Sequence, residues 1–440
     1  MKKFWSTLIS ITMVMALLVG CGTSTESSDA APSGGSSSTS ESSGVRTVEE
    51  REDAPDGVSL TPESYTSEQL PGLENIGVKP LKKYKIAFSN GDMSNDWRAA
   101  FFNEFVECGE YLKEEFGCEF IYANSGADSA KQLQDIQSLL AQNPDILIFS
   151  PNESAPLTPV ADMCESLGIP YITIDRSIDA TVGEGMYVAN IEGDNFRLGV
   201  AMGIEMVKGL TEKNGEPAGN VAEITGGIGS TPGIQRSAGI RHVLKDYPDI
   251  KMVQVVDGNW DVDTAYKAAQ DIMTAHGDEL DGLFCSFDSG TMQAINVAEV
   301  QGIDDLVYVS ADGDTTFMRD YVLTGKAQCC VEYPPYYGIT ALEYAIQYLN
   351  GNDIPSFVLL SQRLYTTETE EKAAALKELT DKCTEAGDPF VPATYGMYDV
   401  FSMTGELWEK YYPVNWVDGG GTEFLNTLIP EDPFNLINNE

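Results

Sequence analysis

The chain is poor in positive charge and almost devoid of histidine. Its 440 residues carry 27 Lys and Arg against 68 Asp and Glu, a formal net charge of −41. A phosphate backbone needs a concentrated basic surface, which so few scattered cations do not supply, so nucleic acid is excluded as a partner. The same shortage disfavours docking through a polybasic patch on anionic lipid. With only His242 and His276 present, a His-rich metal site is excluded, and a Ser-His-Asp triad would have to use one of the two. Beyond Cys21 the cysteines are Cys108, Cys118, Cys164, Cys285, Cys329, Cys330 and Cys383, with no Cys-x-x-Cys spacing of a zinc site. Cys329 and Cys330 are adjacent, and on a strand they would point to opposite faces. An odd set of this kind reads as buried thiols rather than a disulfide scaffold. What is present is ordinary: 42% hydrophobic and 10% aromatic residues exclude a wholly disordered acidic polymer.

The N-terminus carries a short basic start, Lys2-Lys3, then an apolar run over 8–19 that ends in Leu18-Val19-Gly20-Cys21. This is a secretory signal too short to span a bilayer stably. Leu-Val-Gly-Cys resembles a bacterial lipobox, which implies lipidation at Cys21, whereas an ordinary signal with a chance cysteine is the rival reading. Residues 22–57 are Ser, Thr, Gly, Ala and acidic side chains, a composition that cannot bury enough surface to offset ordering entropy. They read as a flexible tether on which a globular part is held at a membrane surface.

From Tyr84 onward, short apolar runs alternate with amphipathic stretches. Runs at 84–88, 119–122, 146–149 and 171–174 form one set, and runs at 221–224, 252–256, 282–284 and 306–309 a second. Between them, 132–141 places Leu133, Ile136, Leu139 and Leu140 on one helical face. Helices are also predicted at 195–208, 232–245, 262–274, 291–300, 337–349 and 370–386. The pattern is that of parallel sheets covered on both faces, hence an α/β chain of two doubly wound lobes. A single βα barrel is the fold-level rival.

Ligands of open α/β sheets lie beyond the carboxyl ends of the strands, and the polar residues cluster there. Such positions supply Asn90, Trp97 and Arg98 after the first run, Asp175 and Arg176 after the fourth, and Asn195 where the second set opens. Arg236 follows the glycine-rich loop 226–233. Trp260, Phe287, Asp312 and Glu332 follow later runs. Forked donors, carboxylate acceptors and flat rings suit a sugar, whose hydroxyls accept from guanidinium and donate to carboxylate while its C–H faces lie on rings. Either tryptophan would equally serve as a core aromatic, and Asp175-Arg176 as a plain strand-end ion pair. The loop 226–233 lacks the Gly-Lys-Ser/Thr ending of a phosphate loop. Asp92, Asp96 and Asp288 lack the spacing of a calcium loop.

Several motifs together resemble the sugar-binding proteins of ABC importers, of the ribose/galactose-binding (type 1 periplasmic) kind. They are Ser94-Asn95-Asp96-Trp97-Arg98, Gly168-Ile169-Pro170 with Asp175-Arg176, Gly193-Asp194-Asn195, Arg236, Asp312-Gly313 and Val331-Glu332-Tyr333-Pro334. Trp-Arg-Ala-Ala at 97–100 and Asp-Arg-Ser-Ile-Asp at 175–179 look most like the galactofuranose-binding branch. The resemblance implies that Trp97 and Trp260 stack on the sugar. It further implies that Arg98, Asp175, Arg176, Asn195, Arg236, Asp312 and Glu332 bind hydroxyls. Phe287 stands where the family usually has Asn, a departure that touches the identity of the sugar, and the tail after Thr366 is longer than the family needs.

The expected protein is therefore a monomeric lipoprotein on the outer face of a bacterial membrane, capturing a pentose or hexose, furanose forms included, for an ABC permease. No metal, cofactor or catalytic role is expected. The alternatives are a ligand-presenting sensor, a nucleoside-binding lipoprotein and a glycoside hydrolase. The expected divisions are 1–21 signal, 22–81 tether and lead-in, 82–190 with 335–364 as N-terminal lobe, 191–332 as C-terminal lobe, and 365–440 as an extension packing on the lobes. Crossings between lobes are expected near 188–193, 333–335 and 363–367.

Overall fold

The computed structural model describes residues 78–360, 362–392, 395, 397, 399–412 and 429–438. The signal, Cys21 and tether, and Tyr398 and Trp416 of the tail, lie outside the described residues. Among the described residues no helix is long and apolar enough to cross a membrane.

The chain runs β1 (Lys85–Asn90), α1 (Asp96–Phe116), β2 (Glu119–Asn124), α2 (Ser129–Leu140), β3 (Ile146–Ser150), α3 (Ser154–Leu157), α4 (Pro159–Leu167), β4 (Tyr171–Ile174) and β5 (Tyr187–Gly193). It continues with α5 (Asn195–Asn214), β6 (Gly219–Thr225), α6 (Thr231–Leu244), β7 (Ile250–Asp257), α7 (Val262–His276), β8 (Gly282–Cys285), α8 (Asp288–Gln301), β9 (Val307–Asp312), α9 (Thr315–Phe317) and β10 (Cys329–Glu332). Last come α10 (Gly338–Leu349), β11 (Phe357–Leu360), β12 (Leu364–Tyr365), α11 (Glu370–Ala386) and α12 (Glu406–Tyr411).

These strands form two separate six-stranded sheets, in the orders β11-β5-β4-β3-β1-β2 and β12-β10-β9-β8-β6-β7, so the single barrel is excluded. Every pairing is parallel except β10 with β12. β3 and β4 are buried along their whole length, as strands covered on both faces must be. Local sequence sets the helix ends: Asn95 caps α1 by accepting from the Arg98 N–H at 2.9 Å, and Gly117 closes it at φ 65°.

Among the described residues the chain passes between the sheets three times. β5 belongs to the first sheet through Gly193, so the first crossing falls directly after it, and residues 191–193, expected in the second lobe, pair with β11 in the first sheet. The second follows β10. The third lies between β11 and β12, before the expected 363–367, because Leu364 already pairs with Val331 in the second sheet. Residue 364 thus leaves the first lobe, and β11 and β12 are short strands that periodicity does not reveal.

In the second lobe α5 and α6 meet backbone to backbone. A Cβ at Gly199 would lie 2.1 Å from the Arg236 carbonyl oxygen, and one at Gly239 would lie 2.3 Å from that of Phe196. The seven described cysteines are buried and none is in a disulfide.

Candidate ligand-binding site

The carboxyl ends of both sheets face one cleft, and their loops close it. Asn95 Nδ2 donates to the Trp260 carbonyl at 2.9 Å, the Ser154 N–H to Gly229 at 3.1 Å, and the Ser177 N–H to Thr231 Oγ1 at 3.2 Å. Inside is a small cavity whose wall is built from both lobes, with Trp97, Arg98, Asp175 and Arg176 on one side and Arg236, Trp260 and Asp312 on the other. A larger space of about 1300 Å³ adjoins it at the mouth and shares Arg176 and Trp260.

The first lobe supplies a buried ionic knot. Arg98, on the first turn of α1, reaches Asp175 Oδ2 at 2.6 Å and donates to Ser150 Oγ at 3.0 Å. Asp175 directly follows β4 in the left-handed region, at φ 63°, a conformation that a short acidic side chain tolerates better than most. It also accepts from Ser150 Oγ and from the Tyr333 hydroxyl. Arg176 donates to the Asn152 carbonyl at 2.6 Å and lies 3.6 Å from Asp175. Burial, with Arg98 adding to it, pulls its pKa down to about 10. Burial alone would raise Asp92, but Arg98 and Arg176 outweigh it and hold that carboxyl below its ordinary value.

Trp97 lies against Tyr333, with centroids 5.5 Å apart, and donates from Nε1 to the Tyr333 carbonyl at 2.6 Å. From the second lobe, Arg236 on α6 donates to Asn195 Oδ1 at 3.0 Å, to the Ser286 carbonyl and to Asp312 Oδ1 at 3.2 Å. Its guanidinium sits over the rings of Tyr333 at 4.6 Å and Trp260 at 5.1 Å. Burial pushes Asp312 up to about 7 against the pull of Arg236, so its carboxyl can donate or accept near neutral pH. Trp260 is held by Ser230 Oγ at 3.1 Å and lies flat on the glycine loop. A Cβ at Gly226 would come within 2.1 Å of its ring. That contact, not a phosphate, accounts for the glycine.

Of the residues singled out in the sequence, Trp97, Arg98, Asp175, Arg176, Arg236, Trp260 and Asp312 line the cavity together. Four are not among its lining residues. Asn90 is buried and bonded to Asp92 and Asn124. Asn195 stands behind Arg236. Phe287 is a core ring beneath Trp260, 5.8 Å from it. Glu332 faces away into the hinge, paired with Arg363 at 2.8 Å and accepting from the Tyr365 hydroxyl at 3.0 Å. Asn95, Pro232 and Tyr333 line the cavity without having been singled out there. An aromatic residue immediately after a strand, at a crossing between lobes, is the signal that points to Tyr333.

Two α/β sheets joined by three crossings, closed on a small polar cavity with aromatic walls, define a hinged solute-binding protein. A periplasmic binding protein domain model matches residues 86–353, and the chain belongs to that family. It is 25% identical over 299 residues to the galactofuranose-binding protein YtfQ of Escherichia coli, covering 67% of this chain and 91% of that one. It is 23% identical to the ribose import binding protein RbsB of Bacillus subtilis, over 70% and 94% of the two chains. Among solved structures, a galactofuranose binding protein superposes with a TM-score of 0.60 at 23% identity, covering 68% and 99% of the chains. The arabinose-binding component of an ABC transporter from Shewanella sp. ANA-3, bound to L-arabinofuranose, gives 0.60 at 22%, covering 69% and 98%. These two superpositions bear on the fold alone.

Proposed function

We propose that the protein is an extracytoplasmic, lipid-anchored solute-binding protein that captures a neutral monosaccharide between its lobes and delivers it to an ABC permease. The observation carrying this reading is the composition of the cavity wall. Arg98, Arg176 and Arg236 are offset by Asp175, Asp312 and the adjacent Asp92, with Trp97 and Trp260 as flat faces. Such a wall offers paired donors and acceptors without a large net charge, which favours a polyhydroxylated neutral ring over a phosphate or a carboxylate. The names of the relatives support a pentose or hexose, and the furanose ligands among them make that ring form the first to try. The monomeric state and the anchor at Cys21 are part of the same proposal.

Hydrolysis is disfavoured because Asp175 is committed to Arg98, Ser150 and Tyr333, which leaves it poorly placed as nucleophile or base. Calorimetry of the purified protein against pentoses, hexoses, galactofuranose and purine nucleosides tests the reading. Saturable heat with a sugar supports it, whereas response to a nucleoside alone overturns it. Prolonged incubation with oligosaccharides would expose any cleavage. For the anchor, Cys21→Ala is expected to move the protein from the detergent phase to the aqueous phase on Triton partitioning.

A further inference from the structure

The family match ends at residue 353, and the chain beyond β12 has no part in it. Yet this extension touches each of the three crossings. At the first, Asp194 caps α5 by accepting from the Arg197 N–H at 2.8 Å and also accepts from the Tyr412 hydroxyl of the extension. At the second, the Tyr336 hydroxyl donates to the Phe390 carbonyl at 3.1 Å. At the third, Arg363 donates to the Pro392 carbonyl at 3.4 Å and the Leu364 N–H to that of Phe401 at 2.9 Å.

The extension is fastened to the second lobe. The Thr315 N–H and hydroxyl donate to the carbonyls of Pro389 and Asp388, both at 2.9 Å, and Asp314 forms a backbone bridge with Phe390. Tyr336, in contrast, leads into α10, which is bound to the first lobe because Glu104 of α1 accepts from the Gly338 and Ile339 N–H groups. The Tyr336–Phe390 bond therefore ties a segment moving with one lobe to a segment fixed on the other. Tyr336, Phe390, Trp408 and Tyr412 are buried in one apolar cluster, so these bonds are shielded from water and cannot be exchanged for it without cost.

We infer that the C-terminal extension is a brace across the hinge, which holds the ligand-free lobes near the closed arrangement and so preassembles the site. Asn195, next to Asp194, holds Arg236 of the cavity wall, which carries the effect of the brace to the site. A binding protein whose competent state is populated before ligand arrives loses less affinity to closure.

The test is the separation of the lobes without ligand, measured by pulsed dipolar spectroscopy on the full chain with spin labels at Gln137→Cys and Lys267→Cys, exposed positions on α2 and α7. Tyr336→Phe and Tyr412→Phe keep the ring packing and remove only the hydroxyl. Each is expected to shift the ligand-free distribution to longer separations and to weaken sugar affinity about threefold to tenfold. Circular dichroism checks the fold, and Arg197→Leu, which removes the cation over the Trp408 and Tyr412 rings, serves as a third variant if either tyrosine variant unfolds. A distribution unchanged in the folded variants overturns the brace, whatever the affinity does. The affinity readout rests on the sugar reading but the distance readout does not, so a longer separation with no sugar response would sink that reading and leave the brace standing.

Discussion

Arg176 is the most exposed to test of the charged residues, since its partners keep other partners when it is removed: Asp175 retains Arg98, and Asp92 stays near Arg98. Arg176→Ala and Asp312→Ala are expected to abolish measurable sugar binding with the fold intact, each removing about 2–5 kcal/mol of interaction, at least roughly thirtyfold in affinity. A titration in which either variant binds with unchanged affinity would remove the site assignment. A second test concerns Glu192, fully buried on β5, whose pKa burial pushes up to about 8 from an ordinary 4.5. A carboxyl with a raised pKa keeps its proton longer in the folded state than in the unfolded chain. It therefore lowers stability as pH rises through the window from about 4.5 to about 8. Glu104, pushed up to about 7 by burial, acts in the same sense. Glu192→Gln should flatten that decline in melting temperature, each kcal/mol counting for roughly 2–4 °C. A variant whose pH profile runs parallel to the parent's would contradict the assignment.

At the scale of elements, most of the fold is legible in the sequence. Fully buried strands read as continuous apolar runs, and side-chain caps such as Asn95 and Ser230 mark where α1 and α6 begin. The site is legible to the extent that it obeys the strand-end rule, which brings seven of the eleven residues onto the cavity wall. The rule fails where a strand end meets a partner from far along the chain. Glu332 ends β10, where a hydroxyl acceptor would stand, but Arg363, 31 residues on, returns through the third crossing and takes it. Phe287 fails for a different reason: Trp260 covers it, and a flat ring beside another does not reveal in sequence which of the two faces the ligand. The contact of Trp260 with the glycine loop is testable at this scale. Gly226→Ala must displace the ring, and about a tenfold weaker affinity with altered tryptophan fluorescence is expected. Unchanged fluorescence and affinity would mean that the ring does not rest there.

Over the whole molecule, the charge of −41 and the nearly balanced cavity are separate matters. Salt screens exposed charges but scarcely reaches buried pairs. Affinity for a neutral sugar is thus expected to vary less than about twofold across a wide range of salt, and a steep decline would indicate a charged ligand. If the extension braces the hinge as inferred, the opening angle is set at the crossings, away from the residues that line the cavity. The close approach of α5 and α6 has a different consequence. Gly199 meets the carbonyl of Arg236 itself, so the backbone from which that guanidinium projects rests on another backbone rather than on interchangeable apolar side chains. The surrounding core can then drift in sequence, Leu for Ile or Met for Val, without carrying the arginine with it. A methyl group at Gly199 would drive into that backbone, so one of the lobe's smallest residues fixes where one of its largest side chains starts.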